Sequence, residues 1–575
     1  MKPVHYLHLT IIVATFFALS CARQTSPTGG PKDSIPPTLV RTIPDDQQIN
    51  FKGKQIEATF DENVQLNNPK DQIIITPGVG KEFQATVKKS TVVITLTNPL
   101  QANTTYTVNL RDAVQDITEK NPAQNVHIAF STGTYIDSLH LMGNAYDILM
   151  GKPGKDATVA LYEQDTFNIF RHKPAYFTKA DANGDFHIDN LKPGNYHVYA
   201  WIDNNKNLIV DSKSEEYGFI PEVIKPQDSI GALQIPMVHL DARPLKLTSA
   251  RPNQTYFNIK TSKSTDQYTV HSNEHDIYSS YGADRENIQI YNTMHLQADD
   301  SISLHFMAKD SLLQSIDTTL YLKFSQRAIK PQPFTLKLDQ FSVSAVTGQI
   351  NGQITFNKPV LRMNFDSIFY RIDSAQTIPI APQDITFDST HTTATIHKPI
   401  AKALLLPKPA SATTATKTTP TPRTQPSTKN SKESNAPKKH VLNNNEFYIA
   451  AGTFISAEQD TSKSNSLGIK PTTMETTGVI IIQIKTTQSP LLVQLLSKDK
   501  VIAQQPGKAK TMFQDLQPGD YTLRVIVDED SNNRWTPGNI LRKQPPEPVH
   551  YYISEDGKQT ITLKANWERE LLITF

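Results

Sequence analysis

A 24-residue stretch occurs twice in this chain, and that duplication constrains what the chain can fold into. Residues 188–211 read IDNLKPGNYHVYAWIDNNKNLIVD and residues 513–536 read FQDLQPGDYTLRVIVDEDSNNRWT, at a constant offset of 325 residues. Leu191, Pro193, Gly194, Tyr196, Asp203 and Asn207 recur as Leu516, Pro518, Gly519, Tyr521, Asp528 and Asn532. Such agreement marks an internal repeat, so at least two copies of one module are expected. In each copy the Pro-Gly pair predicts a tight turn, with Pro presetting its backbone angle and Gly accepting a positive φ. The residues that follow alternate. Tyr196, Val198, Ala200 and Ile202 interleave with His197, Tyr199 and Trp201, as Tyr521, Leu523, Val525 and Val527 do with Thr522, Arg524 and Ile526. A period of two is the signature of a sheet.

At 575 residues the chain exceeds one compact core, and about four to six domains of roughly 90 to 130 residues are expected. Prolines outnumber glycines, 38 to 23, and Thr/Val/Ile runs replace helical periodicity. The fold class expected is all-β, as tandem β-sandwich domains. With 58 basic against 56 acidic residues the net charge is only +2, so there is no electrostatic case for nucleic acid as a partner. One cysteine excludes an intrachain disulfide framework and a cysteine-built zinc site.

That cysteine, Cys21, follows the apolar run LHLTIIVATFFALS, which is 14 residues long and preceded by Lys2. The run is too short to span a bilayer and has the charged start, apolar middle and small-residue end of an export signal, assigned here to residues 1–20. Ala18-Leu19-Ser20-Cys21 resembles the lipobox of bacterial lipoproteins. The resemblance implies that the Cys21 thiol is diacylated and becomes the mature N-terminus, anchoring the protein to the outer membrane, where two acyl chains hold stably. Residues 21–35, polar and rich in Gly, Pro and Ser, read as a tether. In lipoproteins of the Bacteroidota type an acidic run after the cysteine favours the outer face. None follows Cys21, so periplasmic and surface-facing orientations both stay open.

Residues 36–134 contain short alternating strands (IEATFDENV, STVVITLTNPL, TTYTVNL, HIAFSTG) between Asn, Pro and Gly turns. PPTLVRTIP, Phe60-Asp61-Glu62, Pro99-Leu100 before Thr105-Tyr106-Thr107, and the closing Phe130-Ser131-Thr132-Gly133 resemble the SbsA-type bacterial Ig-like domain. The resemblance implies a spacer or adhesive fold. Residues 135–237 hold the first repeat copy, and Asn183-Gly184, Phe186, Leu191 to Gly194 and Tyr196 resemble carboxypeptidase-regulatory-like and prealbumin-like modules, small sandwiches without catalytic residues of their own. Residues 238–345, with Tyr-rich alternating stretches, read as a further β-sandwich whose subtype these residues do not assign. In 346–475, ITFNKPV answers ATFDENV and TTATIHKPI answers VVITLTNPL, which gives a second Ig-like domain. Its insertion, 406–440, is rich in Pro, Thr, Ser and Lys, carries seven basic residues against one acidic, and reads as disordered. Residues 476–575 carry the second repeat copy in a second prealbumin-like sandwich, closed by a terminal strand with Trp567 as a packing anchor.

Three constellations are candidates for chemistry. Asp203, Asn205, Asn207 and Asp211 stand at alternate positions of a loop, as do Asp528, Asp530 and Asn532, the oxygen-ligand pattern of calcium loops. Calcium is the one cofactor these residues suggest. Leu208 stands where such loops have glycine, Ser214 where they have a bidentate glutamate, and Thr536 replaces the last ligand of the second copy, so Asx turns that merely join strands are the competing reading. His271-Ser-Asn-Glu274-His275 matches the H-x-x-E-H pattern of inverted zinc peptidases, which needs a helix, whereas its flanks favour strand and turn. Tyr199, Trp201 and Trp535 form an aromatic set that stacks on a sugar ring if exposed, or packs under a neighbouring domain if not. No catalytic residue is assigned. These features point to a non-enzymatic, lipid-anchored envelope protein with a structural or binding role, whose partners are the membrane and envelope proteins or glycans. A surface carbohydrate-binding or adhesion lipoprotein is the alternative, and an envelope hydrolase with an unrecognised site the third class.

Overall fold

The computed structural model describes residues 33–575 except 80, 125, 164–165, 227–231, 254, 274, 283, 298–299, 326–331 and 407–442. Cys21, the signal segment, the tether up to residue 32, Glu274 and almost all of the 406–440 insertion lie outside the described residues. The described chain is nearly all β, as tandem β-sandwiches. No helix among the described residues is long and apolar enough to cross a membrane.

The first sandwich pairs a four-stranded sheet, in the order Leu39–Ile43, Gln55–Phe60, Thr91–Leu96, Phe83–Lys88, with a second sheet ordered Ile74–Thr76, Thr105–Asn109, His127–Ser131. Alternation explains its core: Ile56, Ala58 and Phe60 point in while the residues between them do not, and they meet Ile94, Tyr106, Val108 and Phe130. The fourth sandwich repeats this plan strand for strand. Leu336–Ser344, Gln349–Phe356, Thr393–Pro399 and Ile385–Phe387 form one sheet, and Ile368–Arg371, Glu446–Ile449 and Asn465–Gly468 lie in the order of the other, with Thr377–Pro379 added at its edge. Leu336–Ser344, placed by the sequence in the preceding unit, pairs with Gln349–Phe356 from Leu336↔Phe356 to Ser344↔Gln349. The unit therefore starts earlier than residue 346, because Phe334 and Val343 belong to its core.

The two repeat copies also share one topology. In the first, Leu139–Asp147 pairs antiparallel with Asp185–Leu191 and parallel with Leu233–His239, while Thr158–Tyr162 pairs with His197–Trp201. In the second, Gly478–Lys485 pairs antiparallel with Lys510–Leu516 and parallel with Glu568–Thr574, while Leu491–Ser497 pairs with Gly519–Val527. The corner between the repeat strands differs from expectation. Neither Gly194 nor Gly519 takes a positive φ. The left-handed residues are Asn190 (φ 56°) and Asp515 (φ 61°), one in each copy. Each sits at a register shift, between Leu139↔Leu191 and Leu141↔Ile188, and between Gly478↔Leu516 and Ile480↔Phe513, so an extra residue bulges out of the ladder. Asn and Asp tolerate that conformation better than other side-chained residues. A tyrosine then fastens the corner: Tyr196 Oη donates to the Lys192 carbonyl at 2.9 Å, and Tyr521 Oη donates to that of Gln517.

Between these units a sheet ordered Leu247–Asn253, Tyr256–Thr261, Asn287–Tyr291, Ser279–Tyr281 faces a sheet of Gln267–His271, Ile302–Lys309 and Ser315–Leu322. Its core holds Phe257, Ile259, Ile288, Ile290 and Phe306.

Candidate functional site

Each repeat strand ends in an Asp/Asn loop, and the two loops are built alike. Asp203 accepts the backbone amides of Asn207 and Leu208, both at 3.1 Å, and Asp528 accepts those of Asn532 and Asn533, both at 3.0 Å. Asn205 and Asp530 each accept the same amide, of Asn207 and Asn532, at 3.1 Å. These bonds hold Lys206 and Leu208, and Ser531 and Asn533, at positive φ between 58° and 63°. Leu208 therefore adopts the backbone that a glycine would, and its side chain is buried. Asp211 does not join the others: its carboxylate accepts from Ser214 Oγ at 2.9 Å and the Lys213 amide at 3.1 Å.

The sequence missed the glutamate that completes each loop. Glu215 accepts the Asn204 amide at 2.9 Å and the Asp211 amide at 2.8 Å, and Glu547 accepts the Thr536 amide at 2.8 Å. Both are buried, and burial pushes both carboxyls above the ordinary carboxylate range, with repulsion from Asp530 and Asp528 adding to it at Glu547. They lie 12 and 19 residues after their respective aspartates, so a fixed offset hides their equivalence. The available signal was topological: each precedes the strand that pairs next to the repeat strand, Glu216–Phe219 or Val549–Tyr551. In the second loop ligand oxygens of Asp528, Asp530 and Glu547 lie within 4.8 Å of one another. In the first, Asn205 takes the place of Asp530, which leaves one less negative charge to attract a cation.

The aromatic set resolves against a sugar platform. Trp201 is fully buried and Tyr199 nearly so, in a cluster that also contains Ile74 of the first sandwich, Leu312 of the third and Ile540 of the last. The strand His197–Trp201 thus has both faces covered, the Tyr196/Val198/Ala200 face by its own sandwich and the other by three neighbours. Trp201 cannot reach a ligand, and Tyr199 only edges a recess with Phe167 and Phe170. Trp535 is half-buried, and its indole N–H donates to the Glu547 carbonyl at 3.0 Å, fastening the second loop to the segment that carries the glutamate. In the second copy the position of Tyr199 belongs to Arg524, whose guanidinium donates to the Leu149 carbonyl of the first. His271 ends a strand in register with His305, so it does not start the helix that the H-x-x-E-H zinc chemistry needs, and Glu274 lies outside the described residues.

Besides these loops, an open cleft of about 1060 Å³ lies where the third and fourth sandwiches and Arg534 of the second loop come together. Its floor is the outer face of the sheet that contains Tyr256–Thr261, and its opposite wall includes Asn357 and the Asp388–Thr390 turn.

No curated protein matches the chain. Among solved structures it is similar to the N-terminal part of the bacterial S-layer protein SbsC, at 14% identity and a TM-score of 0.14, covering 36% of this chain and 44% of that one. It is similar to a Bacteroides ovatus mixed-linkage glucan utilization locus protein, SGBP-B, in complex with a heptasaccharide, at 8% identity and a TM-score of 0.15, covering 66% and 85%. The human desmocollin-1 ectodomain gives 11% identity and a TM-score of 0.14, covering 52% and 60%. Likenesses at this level carry no argument about function. Family models are more definite: residues 33–132 match the bacterial Ig-like domain, and residues 153–215 match domain II of polysaccharide lyase family 4. The chain therefore carries an Ig-like domain followed by an fn3-like one, where the sequence suggested a carboxypeptidase-regulatory-like module.

Proposed function

We propose that this chain is a lipid-anchored component of the bacterial outer membrane that acts by binding and by holding shape rather than by catalysis. The observation that carries this reading is the position of Cys21, the one cysteine of 575 residues, directly behind a 14-residue apolar run with a lysine before it. Two acyl chains on one thiol give a stable anchor, and a polar tether then sets the first sandwich off the membrane. The interlocking of the units supports the shape-holding part. Arg111 pairs with Asp156 at 3.2 Å and Lys206 with Asp71 at 2.7 Å between the first two sandwiches, and Lys152 pairs with Asp499 at 3.2 Å between the two repeat copies. Individually such exposed pairs add little, but together with the shared apolar cluster they fix one arrangement of the units.

Palmitate labelling of the expressed protein tests the anchor. Label is expected in the wild type and lost in Cys21→Ser, which is released from the membrane fraction. An unlabelled wild type that fractionates as a soluble protein overturns the reading. Protease treatment of intact cells then decides between the periplasmic and surface orientations.

A further inference from the structure

The outer sheet face of the third sandwich that lines the cleft is unusual in its chemistry. Along Tyr256–Thr261 the inward residues include Phe257 and Ile259, and the outward ones are Tyr256, Asn258 and, beyond the cleft lining, the exposed Lys260. On the neighbouring strand Asn287 and Gln289 point the same way, and the register sets Asn258 opposite Gln289. A solvated sheet face is ordinarily dressed with charges. Here it offers carboxamides and a phenol, all uncharged and half-buried, at the bottom of the 1060 Å³ cleft.

The formal charges around the cleft are mostly engaged by the protein itself, with the lining Asp266 set against Arg285 at 3.8 Å. Asp388 accepts the Thr392 and Thr393 amides, both at 2.9 Å, and Asp284 accepts those of Glu286 at 3.0 Å and Asn287 at 2.9 Å. Arg285 donates to the Thr265 carbonyl at 2.9 Å and lies over the Tyr281 ring at 4.5 Å. The floor is itself partly hydrogen-bonded: Asn258 Nδ2 donates to Asn287 Oδ1 at 2.9 Å, Asn287 Nδ2 to Asp284 at 2.8 Å and Tyr291 Oη to Gln289 Oε1 at 3.1 Å. That leaves Asn258 Oδ1, Gln289 Nε2, the Tyr256 ring and the lining Arg534 guanidinium for a ligand. The Asn258 amide oxygen and the Gln289 amide nitrogen, on facing residues, offer an acceptor and a donor to sugar hydroxyls, which do both. A tyrosine ring matches the apolar C–H face of the same sugar. The volume lies just above the range of small-molecule pockets, roughly 300 to 1000 Å³, which suits several linked units in an open groove better than one sugar.

We infer that this cleft binds a neutral oligosaccharide chain, with Tyr256, Asn258, Asn287 and Gln289 as its floor and Arg534 closing it from the last sandwich. The inference deepens the binding half of the reading above and depends on it. Affinity electrophoresis of the detergent-solubilised full chain tests it, in native gels that each contain one soluble neutral polysaccharide: mixed-linkage β-glucan, α-mannan, xylan or dextran. At least one polymer is expected to retard the wild type. Asn258→Ala combined with Gln289→Ala should weaken that retardation about tenfold or more, the factor that separates a binding hot spot from its surroundings. Arg534→Ala, at an exposed position of a different sandwich, should weaken it as well, and thermal melting shows whether each variant is folded. Gln289→Glu, which keeps the size and adds a charge, serves if the double variant does not fold. Retardation by no polymer, or retardation that survives every variant, overturns the site. A palmitate-labelled protein that no polymer retards would sink this inference alone, whereas an unlabelled protein that is retarded would sink only the anchor.

Discussion

The Asn539 side-chain amide donates to the main-chain carbonyl of Leu312 at 2.7 Å, joining buried residues 227 positions apart. Through it the last sandwich is held on the third, beside the cluster where Ile540 and Leu312 meet Trp201. Asn539→Ala strands the Leu312 carbonyl without its partner, and a cost of about 1 to 3 kcal/mol is expected for a buried polar group left unsatisfied. Thermal melting should show the loss, and hydrogen exchange should show residues 476–575 opening before the rest.

Trp201 is the largest fully buried side chain among the described residues, in an apolar cluster to which four sandwiches contribute. Trp201→Ala is expected to cost about 3 to 5 kcal/mol, the range for emptying a packed aromatic site. Chemical denaturation measures it. A variant as stable as the wild type would show that the neighbouring units do not pack on this strand.

His550 stacks on Phe575 with ring centroids 3.9 Å apart, and its Nε2 is buried without a hydrogen-bond partner. Burial lowers its basicity from the ordinary value of 6.5. Because the folded state prefers the neutral ring, the stability it contributes is present above that value and is lost as pH falls below it toward the depressed folded pKa. Melting temperature should therefore decline from about pH 6.5 downward, and His550→Phe, which keeps the stack, should remove that part of the decline.

Calcium is expected to distinguish the two Asp/Asn loops. Three carboxylates converge in the second, where a bound cation would relieve the repulsion that Asp528 and Asp530 exert on Glu547. Millimolar calcium should raise the melting temperature of the wild type and of Asp203→Asn but not of Asp530→Asn. Calorimetry that finds no rise in the wild type removes calcium from both loops.

The duplicated stretch was readable because a strand, a corner and an Asx loop are local: alternation sets which side chains share a face, and hydrogen bonds within five residues shape each loop. Alternation did not say what would cover the second face of His197–Trp201, since that depends on Ile74, Leu312 and Ile540 arriving from three other sandwiches. An exposed aromatic row and a buried one look identical in sequence. Glu215 and Glu547 escaped for a related reason, because the loop between aspartate and glutamate changed length while the strand pairing that positions them did not.

By itself, then, the sequence determined that the chain is all-β, that it contains a repeated module, and that an Ig-like plan opens it, since each follows from period, turn chemistry and short-range motif. Only the tertiary structure decided which faces are interfaces, which glutamates close the loops, and where a polar sheet face is left open as a cleft. Those outcomes rest on contacts between residues hundreds of positions apart, and a chain's local pattern carries no record of which distant surface will be pressed against it.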